Sequence, residues 1–209
     1  MLPSADLIRK NLQLMPVPGV PGLRLYRAQP DSRLSRLIGA DAASPYWAYA
    51  WGGGLALCAH IAAEPRCVTG LRVLDLGAGS GLVGLVALHN GAASAIAADI
   101  DPFARAACAA NAAANALVLE VLADNLLAAG APLPPVDLVL VGDLFYERAL
   151  VAPLLAALRR FSDAGAEILI GDPFRETLPT AALQAVASYT VEDFGGDSRA
   201  AAVFTLKRN

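Results

Sequence analysis

Val73-Leu74-Asp75-Leu76-Gly77-Ala78-Gly79-Ser80-Gly81 is the stretch that decides the fold. With Arg72 before it, its first four residues read as a short buried strand. The glycines that follow allow a tight turn and let backbone approach a ligand where a Cβ would intrude. Beyond them Gly81–Asn90 reads as a helix closed by Gly91. A strand, a glycine loop and a helix in this order offer helix N–H groups to whatever binds at the turn.

The same alternation continues outward. Ser94–Asp99, Leu117–Leu122, Val136–Val141 and Glu167–Gly171 read as strands, and Pro102–Asn115, Leu150–Phe161 and Pro179–Ser188 as helices. Asp101 suits an N-cap and Pro102 a first helical position. Thr190–Phe194 and Ala201–Lys207 read as two last strands around the turn signal Gly195-Gly196-Asp197. The fold expected is α/β: a Rossmann-like, seven-stranded sheet, mostly parallel with a C-terminal antiparallel hairpin and helices on both faces. Upstream, residues 47–63 read as a helix ended near Pro65. Residues 1–44 are punctuated by Pro16, Pro18, Pro21 and Pro30, and Leu23–Arg27 and Leu34–Ile38 read as short strands. The division expected is an N-terminal extension with a hairpin over 1–44 and a single globular unit over 45–209.

Composition narrows the classes. The 209 residues carry a net charge of −3 and are 56% hydrophobic, much of that alanine, which favours helix without filling a core. No basic face for nucleic acid is visible. The long uncharged stretch Pro45–Ile61 holds Gly52, Gly53, Gly54 and His60 and makes a poor membrane span. Cys58, Cys67 and Cys108 have no metal-ligand spacing and read as buried reduced thiols, and His60 and His89 as structural or surface residues. With no secretory signal in view, the expectation is a cytoplasmic protein with no metal, nucleic-acid or membrane partner.

In such a sheet, ligands bind outside the carboxyl ends of the strands. Gly79-Ser80-Gly81-Leu82-Val83-Gly84 matches the dinucleotide pattern G-x-G-x-x-G literally, with Asp99 twenty residues beyond Gly79. That match begins two residues too late, because the glycine right after the strand is Gly77. Asp75 would also repel a pyrophosphate, whereas it could attract the ammonium of a methionine moiety. The pattern suits S-adenosylmethionine better than a dinucleotide, and hence a methyltransferase. Asp99 can accept from a ribose diol, with Ile100 beside it, and Asp124-Asn125 follow the third strand, where a side-chain acceptor could meet an adenine amino group. The cofactor residues expected are Trp51, Asp75, Gly77, Ala78, Gly79, Gly81, Asp99, Ile100, Asp124, Asn125 and Gly142.

Two further segments narrow the class: Pro45-Tyr46-Trp47-Ala48-Tyr49-Ala50-Trp51-Gly52-Gly53-Gly54, and Gly142-Asp143-Leu144-Phe145-Tyr146-Glu147. With the glycine motif they resemble the lysine methyltransferases of the electron transfer flavoprotein beta subunit and their bacterial relatives, often named nicotinamide N-methyltransferase-like proteins. The resemblance runs from about Pro45 to Asp172-Pro173. It implies a class I methyltransferase that uses S-adenosylmethionine, releases S-adenosylhomocysteine, and takes the flavoprotein beta subunit as its protein substrate. It also implies that Asp143, Phe145 and Tyr146 lie beside the methyl acceptor. Asp143 would dock the lysine and Tyr146 would wall its channel and donate a hydrogen bond, so these two are the catalytic residues expected. Trp51 would cover the cofactor, with Gly52–Gly54 letting backbone lie close to it. Where the family tends to have Gly-Asp-Pro-Gly-Arg, this chain has Gly171-Asp172-Pro173-Phe174-Arg175.

Competing readings are a small-molecule amine N-methyltransferase and a non-catalytic S-adenosylmethionine-binding regulatory domain. An RNA methyltransferase is disfavoured by the acidic balance and by the lack of an Asn/Asp-Pro-Pro-Tyr motif at Gly142-Asp143-Leu144-Phe145.

Overall fold

The computed structural model describes residues 4–29, 32, 34, 45–192 and 197–207. After a short helix α1 (Ala5–Asn11) come the hairpin strands β1 (Gln13–Val17) and β2 (Val20–Arg27). Then follow α2 (Gly52–Ala63), β3 (Arg72–Leu76), α3 (Leu82–His89), β4 (Ser94–Ala98), α4 (Pro102–Ala114) and β5 (Glu120–Leu122). The chain continues through β6 (Leu138–Gly142), α5 (Arg148–Asp163), β7 (Glu167–Asp172), β8 (Leu183–Glu192) and β9 (Ser198–Leu206).

Seven of these strands form one sheet in the order β5-β4-β3-β6-β7-β9-β8. The first five are parallel, and β9 inserts antiparallel between β7 and β8. This is the sheet expected from the sequence. Alternation along the strands divides the core. Val73, Ala95, Leu138 and Leu140 pack with α2 and α3 on one face. Leu74, Val139, Val141, Ile168 and Ile170 pack with Leu154, Leu158 and Phe161 of α5 on the other. The strand order reverses at β3, which pairs with β4 on one side and β6 on the other, so the ligand crevice of such a fold lies at the ends of these three strands.

The hairpin is tied to α4 by two asparagines one helical turn apart. Tyr26 N donates to Asn111 Oδ1 at 2.7 Å, and Arg24 N to Asn115 Oδ1 at 2.9 Å. Leu23 and Leu25 are buried against the α2–α3 layer.

The structure departs from the sequence reading in three places. Pro179–Ser188 is not a helix: after a single turn at Thr180–Ala182 the chain runs as β8. Its pairing with β9 extends from Leu183–Leu206 to Glu192–Ser198, and that long ladder outweighs the helical preference of a few alanines. The expected helix over 47–63 is two pieces, a single turn Tyr46–Ala48 and then α2, with extended backbone at Tyr49 and Trp51 between them. Trp47 and Trp51 therefore do not share a helical face. Leu23–Arg27 falls within β2, but its hairpin partner is β1; Leu34 is helical, and the rest of Leu34–Ile38 lies outside the described residues, as do Gly195 and Gly196 of the expected turn. Cys58 and Cys108 are buried free thiols and Cys67 is half-buried. No helix among the described residues is long and apolar enough to cross a membrane.

Candidate active site

A cavity of about 450 Å³ opens at the carboxyl ends of β3, β4 and β6. Of the residues singled out from the sequence, Trp51, Gly77, Gly79, Asp99, Ile100, Asp124, Asn125, Gly142, Asp143 and Tyr146 line it. Asp75 and Ala78 line a smaller pocket of about 60 Å³ that shares Tyr46, Trp51, Gly77, Gly79, Gly142 and Asp143 with the first. Gly81 lines neither. Its φ of +76 begins α3, and a Cβ there would meet Leu119 and Cys108, so its part is in turning the chain.

The loop at Gly77–Gly81 is closed on itself. Gly77 N and Ala78 N donate to Ala98 O at 2.9 and 3.2 Å, Gly81 N donates to Ala78 O, and Gly79 N donates to Asp99 Oδ2 at 2.9 Å. Gly84 N, in the first turn of α3, donates to Asp75 Oδ2 at 2.8 Å. These five N–H groups are thus spent within the protein. A loop so engaged, with carboxylates at Asp75 and Asp99, is no cradle for a pyrophosphate. Gly77 at φ +70 leaves a space where a Cβ would press to 2.7 Å from Leu144. Asp99 Oδ1 also accepts from Asp101 N at 2.9 Å, so each oxygen keeps one lone pair for a ligand in the cavity. Asp101 itself caps α4 through Phe103 N. Asn125 Oδ1 accepts from Leu127 N in a local turn.

Asp75 is buried, and burial pushes its carboxyl up to about 7. The folded state therefore favours the neutral acid. Its contribution to stability is full below the ordinary carboxyl range and is lost as pH rises through about 7. In ligand-free protein, Asp75→Asn should keep the bond from Gly84 N, lose this pH dependence and gain at least about 1 kcal/mol over wild type near pH 8. Urea unfolding near pH 5 and pH 8 checks it; an Asn variant less stable than wild type at both would refute it.

At the end of β6, Asp143 adopts a left-handed conformation, φ +57. Both oxygens of its carboxylate are engaged. Oδ2 accepts from Gly54 N at 2.9 Å, and Oδ1 pairs with Arg175 Nη2 at 2.7 Å. Burial raises its pKa, while Arg175 and the N–H groups of Gly54 and Gly53 oppose the rise. Helix α2 begins at Trp51 with no side-chain cap, so Asp143 serves as its cap from a distant strand. Gly53 accordingly accommodates the sheet, since a Cβ there would come within 2.6 Å of Asp143 Oδ2, whereas Gly54 lines the smaller pocket. Phe145 is fully buried in the α5 core and does not reach the cavity. Tyr146 is half-exposed, its phenol held neutral by partial burial. Trp47 is buried and stacks on Phe103, with ring centroids 6.1 Å apart.

A sequence profile for a family described as lysine methyltransferases matches residues 44–185, which span the glycine loop, Asp143 and Arg175. The chain belongs to the lysine methyltransferase family. It is 39% identical over 155 residues to the electron transfer flavoprotein beta subunit lysine methyltransferase of Xenopus laevis, covering 71% of this chain and 62% of that protein. The protein of the same name from Homo sapiens is 39% identical over 133 residues, covering 63% and 50%. The chain thus spans between half and about three fifths of the length of these curated relatives. Among solved structures, a candidate RNA methyltransferase from Pyrococcus horikoshii superposes with a TM-score of 0.59 at 18% identity, covering 84% of this chain and 94% of that one. The fold is that of the class I methyltransferases.

Arg175, Tyr46, Leu126 and Leu127 line the cavity without being among the site residues expected from the sequence. Arg175 was visible only as the end of Gly171-Asp172-Pro173-Phe174-Arg175, and its partner stands 32 positions away. Tyr46 is 55% exposed and lines the cavity; no local pattern marks an exposed tyrosine. Asp172 is fully buried, and burial pushes its carboxyl up to about 6. One oxygen accepts from Arg175 N at 2.7 Å, whereas Asp172 Oδ2 and Arg175 Nε are buried without a partner.

Phe174 sits at φ +60, a conformation that costs an L-residue roughly 1–2 kcal/mol. Its ring meets Phe204 edge-on at 5.8 Å. Phe174→Ala loses the ring and keeps the strain; Phe174→Gly loses both. The glycine variant is therefore expected to be the more stable of the two by about 1 kcal/mol, reversing the usual order. Equal denaturation midpoints would mean that the backbone at 174 carries no cost.

Proposed function

We propose that the protein is an S-adenosylmethionine-dependent protein lysine N-methyltransferase that acts on the electron transfer flavoprotein beta subunit. The observation that carries this reading is a single crevice holding both halves of such a site. On one side lie Asp99, Gly77 and Gly79, and on the other Asp143, Tyr146 and Arg175. Membership of the family supports the lysine acceptor, and the likeness to the curated relatives supports the flavoprotein subunit.

The residues present fit S-adenosylmethionine. Buried Asp75 suits its cationic amino group, Asp99 its ribose diol, and Ile100, Leu126 and Leu127 a flat apolar ring, with Asp124 and Asn125 at the rim. Bound there, it supplies an electrophilic methyl group on a sulfonium. The chain's own task is to hold the acceptor amine in line and to strip its proton. A lysine with an ordinary pKa of about 10.4 must spend roughly 4.6 kcal/mol to be neutral at pH 7. A half-enclosed aromatic wall beside Tyr146 lowers that cost by desolvating the ammonium. Asp143 fixes α2 and Arg175 at the crevice, and any proton passes to water.

The test is transfer of labelled methyl from S-adenosylmethionine to purified flavoprotein beta subunit and, in parallel, to a cell lysate, with lysine mapping by mass spectrometry. Label on a lysine of the beta subunit is the expected result. Label on lysines of other proteins alone would retain the reaction and refute the substrate. Label confined to RNA or small molecules would overturn the reading.

A further inference from the structure

Which group receives the acceptor's charge is open once Asp143 is seen to be engaged by Gly54 N and Arg175. Four aromatic residues line the same crevice; Trp47 is buried, and the other three stand together. Tyr46 lies between Trp51 and Tyr146, with ring centroids 5.8 and 5.7 Å away and planes tilted by 59° and 38°. All three rings line the main cavity, and Tyr46 and Trp51 also line the adjoining pocket. Tyr46 and Tyr146 are 55% and 48% exposed. Large rings left open beside a cavity mark a binding surface more than a core. The first shoulder of this cluster is fixed: Trp51 Nε1 donates to Tyr46 O at 2.8 Å, tying the indole to the turn that carries the tyrosine.

The charge at the cavity has a definite sign. Asp143 pairs with the Arg175 guanidinium, and buried Asp172 accepts from the Arg175 backbone N, so two carboxylates stand beside one cation. With both ionised, the trio carries one net negative charge, and Asp99 adds another at the same cavity. An anionic or neutral acceptor gains nothing from this field, whereas a cation does.

Resting on the lysine methyltransferase reading above, we propose that Tyr46, Trp51 and Tyr146 form an aromatic seat that recognises the acceptor as a cationic ammonium, with Tyr46 the residue that selects for charge. A ring face attracts an ammonium by its quadrupole. Its pull on the cation is weaker than that of a carboxylate in direct contact, so the seat gathers the ammonium while opposing its deprotonation less than a carboxylate would. This division of labour leaves the Asp143 carboxylate to cap α2.

The test separates charge from shape. Trimethyllysine amide and its uncharged carbon isostere, in which the nitrogen is replaced by carbon, are titrated against the full chain loaded with S-adenosylhomocysteine. Binding is read by fluorine NMR of protein labelled with 5-fluorotryptophan, the Trp51 signal being assigned with Trp51→Phe. The charged probe should bind at least about fivefold more tightly than the isostere, and Tyr46→Leu should remove that preference while Tyr46→Phe keeps it. In protein shown by its melting temperature to keep the wild-type fold, more heavily fluorinated tryptophans should weaken the charged probe stepwise and leave the isostere unchanged. In methyl transfer, Tyr46→Leu should raise KM for the lysine acceptor about fivefold or more with kcat within about twofold; a merely structural role would lower kcat and the melting temperature together. Equal binding of the two probes, or no binding of the charged one, overturns the proposal. Preference for the charged probe in a protein that methylates no lysine would keep the seat and remove the function; lysine methylation with equal probe binding would do the reverse.

Discussion

Asp143→Ala is expected to abolish nearly all turnover and to lower stability by about 3 kcal/mol. Its carboxylate is buried between Gly54 N and the Arg175 guanidinium. Removing one partner of a buried ion pair costs about 3–5 kcal/mol, because the other charge is left uncompensated. The lower end applies here, since the Arg175 side chain keeps 27% of its exposure. The loss has two parts, and two further variants separate them. Asp143→Asn retains an oxygen for Gly54 N but gives up the ionic half, so it should lose less stability than alanine while turnover still falls at least about tenfold, affinity for S-adenosylhomocysteine remaining near wild type. Asp143→Ala combined with Arg175→Met replaces the pair by apolar groups and should recover much of the stability without recovering activity. Calorimetric titration and denaturant unfolding read the two quantities independently. Full turnover in Asp143→Asn would remove the carboxylate's charge from any account of the reaction.

The residues whose partners lie nearby in the chain were the legible ones. Asp75, Gly77 and Gly79 were readable because a strand end, a turn and a helix start are local, and Asp99 because its place follows from the next strand. Asp101 as the cap of α4 is equally local, its acceptor two residues from the donor. The misreadings share the opposite character. Leu183–Glu192 becomes a strand through a ladder to β9, and alanine content within the segment does not report a partner across a turn. The break between Tyr46–Ala48 and α2 was hidden because periodicity continues across it, whereas the group that starts the helix comes from Asp143, 89 positions later. Asp143 itself was found as a strand-end acid; that its charge is divided between a helix terminus and an arginine is tertiary information. Phe145 and Tyr146 are adjacent, yet one is core and the other rim, a distinction set by which side of the β6–α5 connection each faces.

Gly53→Ala and Gly171→Ala are each expected to destabilise the protein by about 3 kcal/mol, at the upper end for overpacking a core, and to abolish activity through the displaced start of α2. The two residues face each other where this helix crosses β7. A Cβ on Gly53 would run into the Gly171 carbonyl and reach 2.6 Å from Asp143 Oδ2. A Cβ on Gly171 would run into the Gly53 carbonyl and reach 2.8 Å from both Gly53 C and Leu57 Cγ. The obstacles are mainly backbone, which has no rotamer by which to withdraw, and the Gly171 carbonyl is already held by Asp143 N at 3.0 Å. Relief requires the helix to move bodily, and its first turn carries the Gly54 N–H that Asp143 caps, with Trp51 immediately before it. The neighbouring glycines supply the control. A Cβ on Gly52 would touch Pro173 at 3.4 Å and one on Gly54 would lie 3.7 Å from Val83, both ordinary contacts. Gly52→Ala and Gly54→Ala should therefore stay within about 1 kcal/mol of wild type, alanine being the better helix former. Three consecutive glycines thus divide into two tolerant positions flanking an intolerant one. Helix–strand contact predicts that ordering, whereas a shared need for backbone freedom would make the three losses equal. Unfolding midpoints of the four single variants decide between them.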